Sequence, residues 1–196
     1  MNFSFWEKQS FLSGIHYGIV GSGIVGLSAA IELKKRFPNK RTVVFERGML
    51  PSGASTKNAG FACFGSPSEI LDDLKIMSKD EVLNLVEKRW KGLLNLKQLL
   101  GDQSMDFQLN RGFELFSEKD SNTFRECESQ LDSLNDFLRP IFKENVYSLE
   151  NEAIKRCGFK NISNIISNKF EGQINTGIMM TNLILLAKEL GVEIIN

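Results

Sequence analysis

A short apolar run, His16-Tyr17-Gly18-Ile19-Val20, opens the patterned part of the chain and reads as a buried parallel strand. The period then lengthens. Leu27, Ala30, Ile31 and Leu33 share one side of a predicted helix, and Lys34, Lys35 and Arg36 crowd its last turn, where cations suit the negative end of the helix dipole. Pro38-Asn39 stops it. Arg41 to Glu46 reads as a second strand with Thr42-Val43-Val44-Phe45 as its buried body. Strand, helix and strand in this order predict a βαβ unit.

Beyond residue 60 the pattern turns helical. Ser66-Pro67-Ser68-Glu69 has the form of a capping box with proline at the first helical position, followed by Ile70, Leu71, Leu74 and Met77 at helical spacing. Ser78-Lys79-Asp80-Glu81 repeats the signature before a longer helix through Val82, Leu85, Val86, Trp90, Leu93 and Leu94, closed near Gly101. Phe107, Leu109, Phe113, Leu115 and Phe116 suggest two short strands around a turn at Asn110-Arg111-Gly112. A helix is expected over 120–139, with Pro140 beyond its end, and a shorter one from about Leu149 to Arg156. Residues 160–170 read as a loop with one short strand. Thr176 is expected to cap a helix that Gly191 ends, before a last strand at Val192–Ile195.

The chemistry concentrates at the first turn. Gly21-Ser22-Gly23-Ile24-Val25-Gly26 joins the first strand to the helix, and each glycine has a mechanical task. Gly21 permits the tight turn, Gly23 lets a pyrophosphate approach the backbone, and Gly26 lets the helix press on the sheet. The helix N-terminus offers free N–H groups to the doubly negative pyrophosphate, which Gly21, Ser22, Gly23 and Gly26 are expected to face. Glu46 lies 20 residues after Gly26, at the tip of the second strand, where a carboxylate accepts bonds from a ribose 2′-hydroxyl. A carboxylate there disfavours a 2′-phosphate, so NADP is set aside and FAD or NAD remains.

A second strip, Gly53-Ala54-Ser55-Thr56-Lys57-Asn58-Ala59-Gly60, separates these two. Its small residues allow close backbone approach, and Ser55, Thr56 and Asn58 add short polar groups. A plain NAD half-domain has no need of it directly after Glu46-Arg47, whereas a flavin must be held by further backbone.

Composition removes other classes of function. Lys plus Arg and Asp plus Glu are 24 each, so no net field recruits nucleic acid, and no basic run with interleaved aromatics is present. Cys63, Cys127 and Cys157 show no paired spacing, and His16 is the single histidine, which leaves little material for a metal site or a Ser-His or Cys-His nucleophile. Ile15 to Ile31 imitates a signal-peptide core, but four glycines and His16 interrupt it and no basic cluster precedes it. No run of about 18 apolar residues occurs, so a membrane span is not expected, and the chain reads as cytoplasmic.

Taken together, Gly21–Gly26, Glu46-Arg47 and Gly53–Gly60 resemble the FAD-dependent oxidoreductases of the D-amino-acid oxidase / glycine oxidase (DAO) superfamily, in their N-terminal portion. Glu171-Gly172-Gln173-Ile174-Asn175, a helix, and Gly191-Val192-Glu193-Ile194-Ile195 look like that family's return into its FAD domain; residues 66–170 resemble it only loosely. The resemblance implies an α/β fold, with a Rossmann-like FAD-binding domain interrupted by part of an α+β substrate domain. Residues 1–103 and 171–196 would belong to the former and 104–170 to the latter, and the chain would be truncated at Asn196.

The resemblance also implies hydride transfer to flavin from the C–N bond of an amine or amino-acid substrate. Such chemistry needs positioning more than a protein base, so no catalytic residue is named. The expected cofactor contacts are Gly21, Ser22, Gly23, Ile24, Val25, Gly26, Glu46, Arg47, Gly53, Ala54, Ser55, Thr56, Asn58, Ala59 and Gly60. Some relatives tether flavin through a histidine; Lys57 stands there, so non-covalent FAD is expected. Arg111 as a carboxylate ligand is outweighed by an ordinary solvated arginine. Two other readings stay open: an NAD-linked dehydrogenase, and a dinucleotide-binding chain inactive without a C-terminal part. The edge at Val192–Ile195 would then associate with that part or with a second copy.

Overall fold

A computed structural model of the chain describes residues 3–196. In chain order the elements are α1 (Phe5–Glu7), a π-helical turn (Lys8–Leu12), β1 (Tyr17–Val20), α2 (Ile24–Arg36), β2 (Thr42–Phe45) and β3 (Phe61–Ala62). Two helices follow, α3 (Pro67–Ile76) and α4 (Lys79–Leu100), then β4 (Gly112–Phe116), α5 (Ser121–Ser129), α6 (Leu131–Phe142) and β5 (Tyr147–Leu149). The remainder is α7 (Glu152–Cys157), β6 (Asn164–Asn168), β7 (Gly172–Gln173), α8 (Thr176–Glu189) and β8 (Glu193–Ile195). Among the described residues no helix is long and apolar enough to cross a membrane.

The chain divides into two compact units. The first holds residues 3–60, 103–106 and 175–196, and the second residues 61–102 and 107–174. In the first, β1, β2 and β8 form a parallel sheet in the order β1-β2-β8, with Ile19 opposite Val44 and Val44 opposite Ile194. The sheet forms because Val43 and Val44 are fully buried, and Leu27, Ala30 and Ile31 supply the matching stripe on α2. Met179, Met180, Leu183 and Ala187 are the buried residues of α8. Asn182 Nδ2 donates to Ser104 O (2.7 Å) and the Asn175 N–H to Met105 O (2.9 Å), which ties residues 103–106 into this unit. Among the described residues β1 and β8 each pair on one side only, and Val20 at the end of β1 is 91% exposed.

The second unit has a core of its own. Phe64, Ile70, Val82, Val86, Phe116, Leu134, Leu138, Phe142, Tyr147 and Ile166 form one buried cluster, with Trp90 and Phe170 packed against it. Its sheet is antiparallel, β4-β6-β5, and β3 pairs separately with β7. Both expected capping boxes form: Ser66 with Glu69 on α3 and Ser78 with Glu81 on α4.

Several expectations were corrected. The hairpin at Asn110–Gly112 does not form. Arg111 takes a left-handed backbone (φ +70°), Gln108 pairs with Gln173, and β4 finds its partner in the distant β6. The helix expected over 120–139 is two helices that meet at Gln130, and Pro140 lies inside α6 rather than beyond it. Proline forfeits only one intrahelical bond in that last turn, and Lys143 (φ +65°) ends the helix instead. The strand β5 was not foreseen; it is held by Asn135, whose side chain bonds the backbone of Val146 and Tyr147. Asn175, not Thr176, caps α8, its Oδ1 accepting from the Ile178 N–H at 3.0 Å. Residues 61–102 lie in the second unit, where Phe64, Ile70, Val82 and Val86 belong to its aromatic and aliphatic core.

Candidate functional site

The glycine loop begins where β1 ends. Gly21 adopts φ +92°, a backbone that L side chains rarely enter, and its N–H donates to Phe45 O at 2.8 Å, pinning the loop to the end of β2. Gly23 is the N-cap of α2 and brings no side chain to cap it. Gly26 sits in the helix's first turn, where an added Cβ would lie 2.0 Å from the Gly21 carbonyl oxygen. Only glycine permits so close an approach between helix and turn. The N-terminus of a thirteen-residue helix is thereby left uncapped by its own side chains, which is the arrangement that receives anions.

Ser55 reaches this point from the second strip. Its Oγ accepts from the Ile24 N–H at 3.0 Å and lies 3.1 Å from where a Cβ on Gly23 would stand. A bulkier residue at Gly23 would therefore push the strip away. The strip itself is a tight turn: the N–H groups of Thr56 and Lys57 donate to Gly53 O, the Thr56 hydroxyl donates to Pro51 O, and the Gly60 N–H donates to Asn58 Oδ1. Gly60 is buried with φ +75°.

Glu46 closes the other side. Its Oε2 accepts from both the Ser22 N–H (2.9 Å) and the Ser22 hydroxyl (2.7 Å), and its Oε1 from the Gly48 N–H (3.1 Å). These donors, the Ser22 hydroxyl foremost and then the two backbone groups, hold the carboxyl down at about 2. It is ionised at any ordinary pH.

The structure thus brings together Gly21, Ser22, Gly23, Ile24, Gly26, Glu46 and Ser55. Val25, Arg47, Gly53, Ala54, Asn58 and Ala59 are exposed, and the polar bonds of Thr56 and Asn58 stay within their own turn. Ser22 is 2% exposed, so its side chain turns to Glu46 rather than outward. Neither this role of Ser22 nor the Gly48 donor was visible in the spacing. Arg111 forms an ion pair with Glu150 (2.6 Å), which Arg156 also shares. Among the described residues no group of three or more His, Cys, Asp or Glu could hold a metal.

The second unit has a cleft of about 260 Å³ lined in part by Ser66, Gly112, Glu114, Asn168 and Glu171. Its carboxylates are already engaged. Glu171 accepts from the N–H groups of Phe64 (3.0 Å) and Gly65 (3.4 Å), and Glu114 accepts from Ser68. Burial pushes Glu171 up to about 7.

No curated protein sequence matches the chain. Solved structures do. Glycine oxidase from Geobacillus kaustophilus superposes with a TM-score of 0.60 at 20% identity, over 91% of this chain and 45% of its own. Iminodiacetate oxidase from Chelativorans sp. BNC1 gives 0.66 at 16%, over 92% and 46%. L-α-glycerophosphate oxidase from Mycoplasma pneumoniae, solved with FAD bound, gives 0.58 at 16%, over 91% and 43%. The chain spans less than half the length of each. At these identities the likeness is one of fold. The model of the FAD dependent oxidoreductase family, DAO, matches residues 16–196, and the chain belongs to that family.

Proposed function

We propose that this chain supplies the adenine-dinucleotide site of an FAD-dependent oxidoreductase that oxidises the C–N bond of an amine or amino acid. The observation that carries the cofactor reading is the ionised Glu46 carboxylate, held beside a helix N-terminus whose glycine N-cap brings no side chain of its own. That pairing fits an anion and a ribose diol side by side.

The chain's residues divide the work. Backbone N–H groups at the start of α2 would take the pyrophosphate, with the helix dipole favouring its charge. The Ser55 hydroxyl, which accepts from the Ile24 N–H, still has its own proton to give to a phosphate oxygen. Glu46 would accept from ribose hydroxyls and would repel a 2′-phosphate. Arg47 and residues 53–60 would line the remainder of the cofactor, held without a covalent bond because Lys57 stands where some relatives present a histidine. FAD, when bound, accepts the hydride that the substrate's carbon gives up. The substrate class rests on the two neighbours named for glycine and iminodiacetate; the glycerophosphate oxidase marks C–O oxidation as the competing reaction of the same fold.

The test is a titration of the purified chain with FAD, followed by flavin fluorescence, with NAD in parallel and Glu46→Ala as control. Saturable FAD binding that Glu46→Ala weakens by about tenfold or more is expected, since a hydrogen bond to a charged group contributes roughly 1.5–3 kcal/mol. NAD binding in place of FAD, or indifference to Glu46→Ala, would overturn the reading. Anaerobic mixing of the flavin-loaded protein with glycine, proline and glycerol 3-phosphate then separates the substrate classes: bleaching by amines alone is expected.

A further inference from the structure

Ser22 occupies the middle of the glycine loop, between Gly21 and Gly23, where a side chain would be expected to meet the phosphates. It does not face outward. The residue is 2% exposed, and both of its donors, hydroxyl and N–H, converge on one oxygen of Glu46 from 24 positions away in sequence. The other oxygen is taken by the Gly48 N–H. Glutamate has three side-chain torsions and, left alone at the end of a strand, would sweep through many rotamers. Three donors from two separate turns leave it one position; Oε2 takes two of them and Oε1 one, so Oε1 keeps a lone pair for a further donor.

We propose that Ser22 is a positioning residue for ribose recognition: it fixes the Glu46 carboxylate in place, rather than binding the cofactor's phosphates. The inference rests on the FAD reading above and gives the loop's central position a task in cofactor specificity. The anchored anion meets a ribose bearing free hydroxyls without rearranging. An unanchored one could swing aside for a 2′-phosphate. Ser22→Ala removes the hydroxyl alone and leaves the backbone donor, so the loop itself keeps its geometry.

Two measurements test this. The first needs no cofactor: carbon-detected NMR titration of the Glu46 carboxyl in the wild type and in Ser22→Ala. The wild-type midpoint is expected at about 2 and the variant's at least one pH unit higher, because the hydroxyl is the largest of the groups that lower it. The second is a double-mutant cycle on FAD affinity. Ser22→Ala should weaken FAD about fivefold in the wild-type background and by less than about 1.5-fold in the Glu46→Ala background. Equal losses in both backgrounds would show Ser22 acting on the cofactor directly and would overturn the proposal, as would an unmoved titration. If the wild type binds no FAD, the cofactor reading falls, and the titration still decides whether Ser22 holds Glu46.

Discussion

The two units of this chain each bend a glutamate onto backbone N–H groups, and the outcomes are opposite. Glu46 stands at the mouth of a turn, receives three donors, and is held at about 2. Glu171 receives the N–H groups of Phe64 and Gly65 but is 8% exposed, with Glu69 and Glu114 nearby, and is pushed up to about 7. Donors stabilise a carboxylate only as far as burial and neighbouring anions do not cancel them. The first arrangement keeps a charge available to a ligand, while the second spends its bonds on joining β7's approach to the start of α3. The glycines repeat the contrast. A Cβ on Gly26 would meet backbone, the Gly21 carbonyl at 2.0 Å, whereas a Cβ on Gly112 would meet the end of a side chain, Glu171 Oε2 at 2.1 Å.

The largest effect expected from this comparison is at Gly26. Gly26→Ala cannot be absorbed by a rotamer change, and urea unfolding should show a loss of more than about 3 kcal/mol together with loss of FAD binding. Next comes the pH dependence of Glu171. Its carboxyl keeps a proton up to about 7 in the folded chain but only to the ordinary value of 4.5 when unfolded. Its contribution is therefore fully present below 4.5, falls as pH rises towards 7, and is level above, a change of up to about 3 kcal/mol. Glu171→Gln should flatten that window in unfolding curves taken between pH 4.5 and 8, and an unchanged slope would break the contrast with Glu46.

Asn135→Leu should cost about 2–3 kcal/mol. It leaves the Val146 and Tyr147 N–H groups and the Tyr147 carbonyl buried without partners, which hydrogen exchange at β5 would report alongside the melting point. The smallest effect is expected for Gly112→Ala. The Glu171 side chain can swing away, so the cost should be about 1 kcal/mol and the Glu171 titration should move down as its carboxyl gains solvent. A loss as large as that of Gly26→Ala would mean that Glu171 is as immovable as a backbone carbonyl.

Local pattern carried the first unit. A strand, a helix with its apolar stripe at Leu27, Ala30 and Ile31, and a second strand follow from short-range periodicity, and the observed β1, α2 and β2 agree to within a residue or two except at the helix start. The helix begins at Ile24, inside the glycine string, because Gly26 is needed within the first turn rather than before it. The second unit was read less well. Its hairpin, the break at Gln130 and the strand β5 depend on partners far away: β4 pairs with β6 across some fifty residues, and β5 is held by a side chain from α6. Periodicity reports which face of an element is apolar, not which distant strand it will meet.

The same division runs through the site. Glycines at 21, 23 and 26 and the carboxylate at Glu46 could be named from the sequence because their backbone and charge requirements are local and hold in any βαβ nucleotide turn. That Ser22 faces Glu46, that Ser55 meets the start of α2, and that Glu171 is driven towards neutrality in a second core were settled only by tertiary structure. Hydrogen-bond direction and desolvation depend on what lies within a few ångströms in space, and in this chain those neighbours come from 24, 31 and 107 positions away.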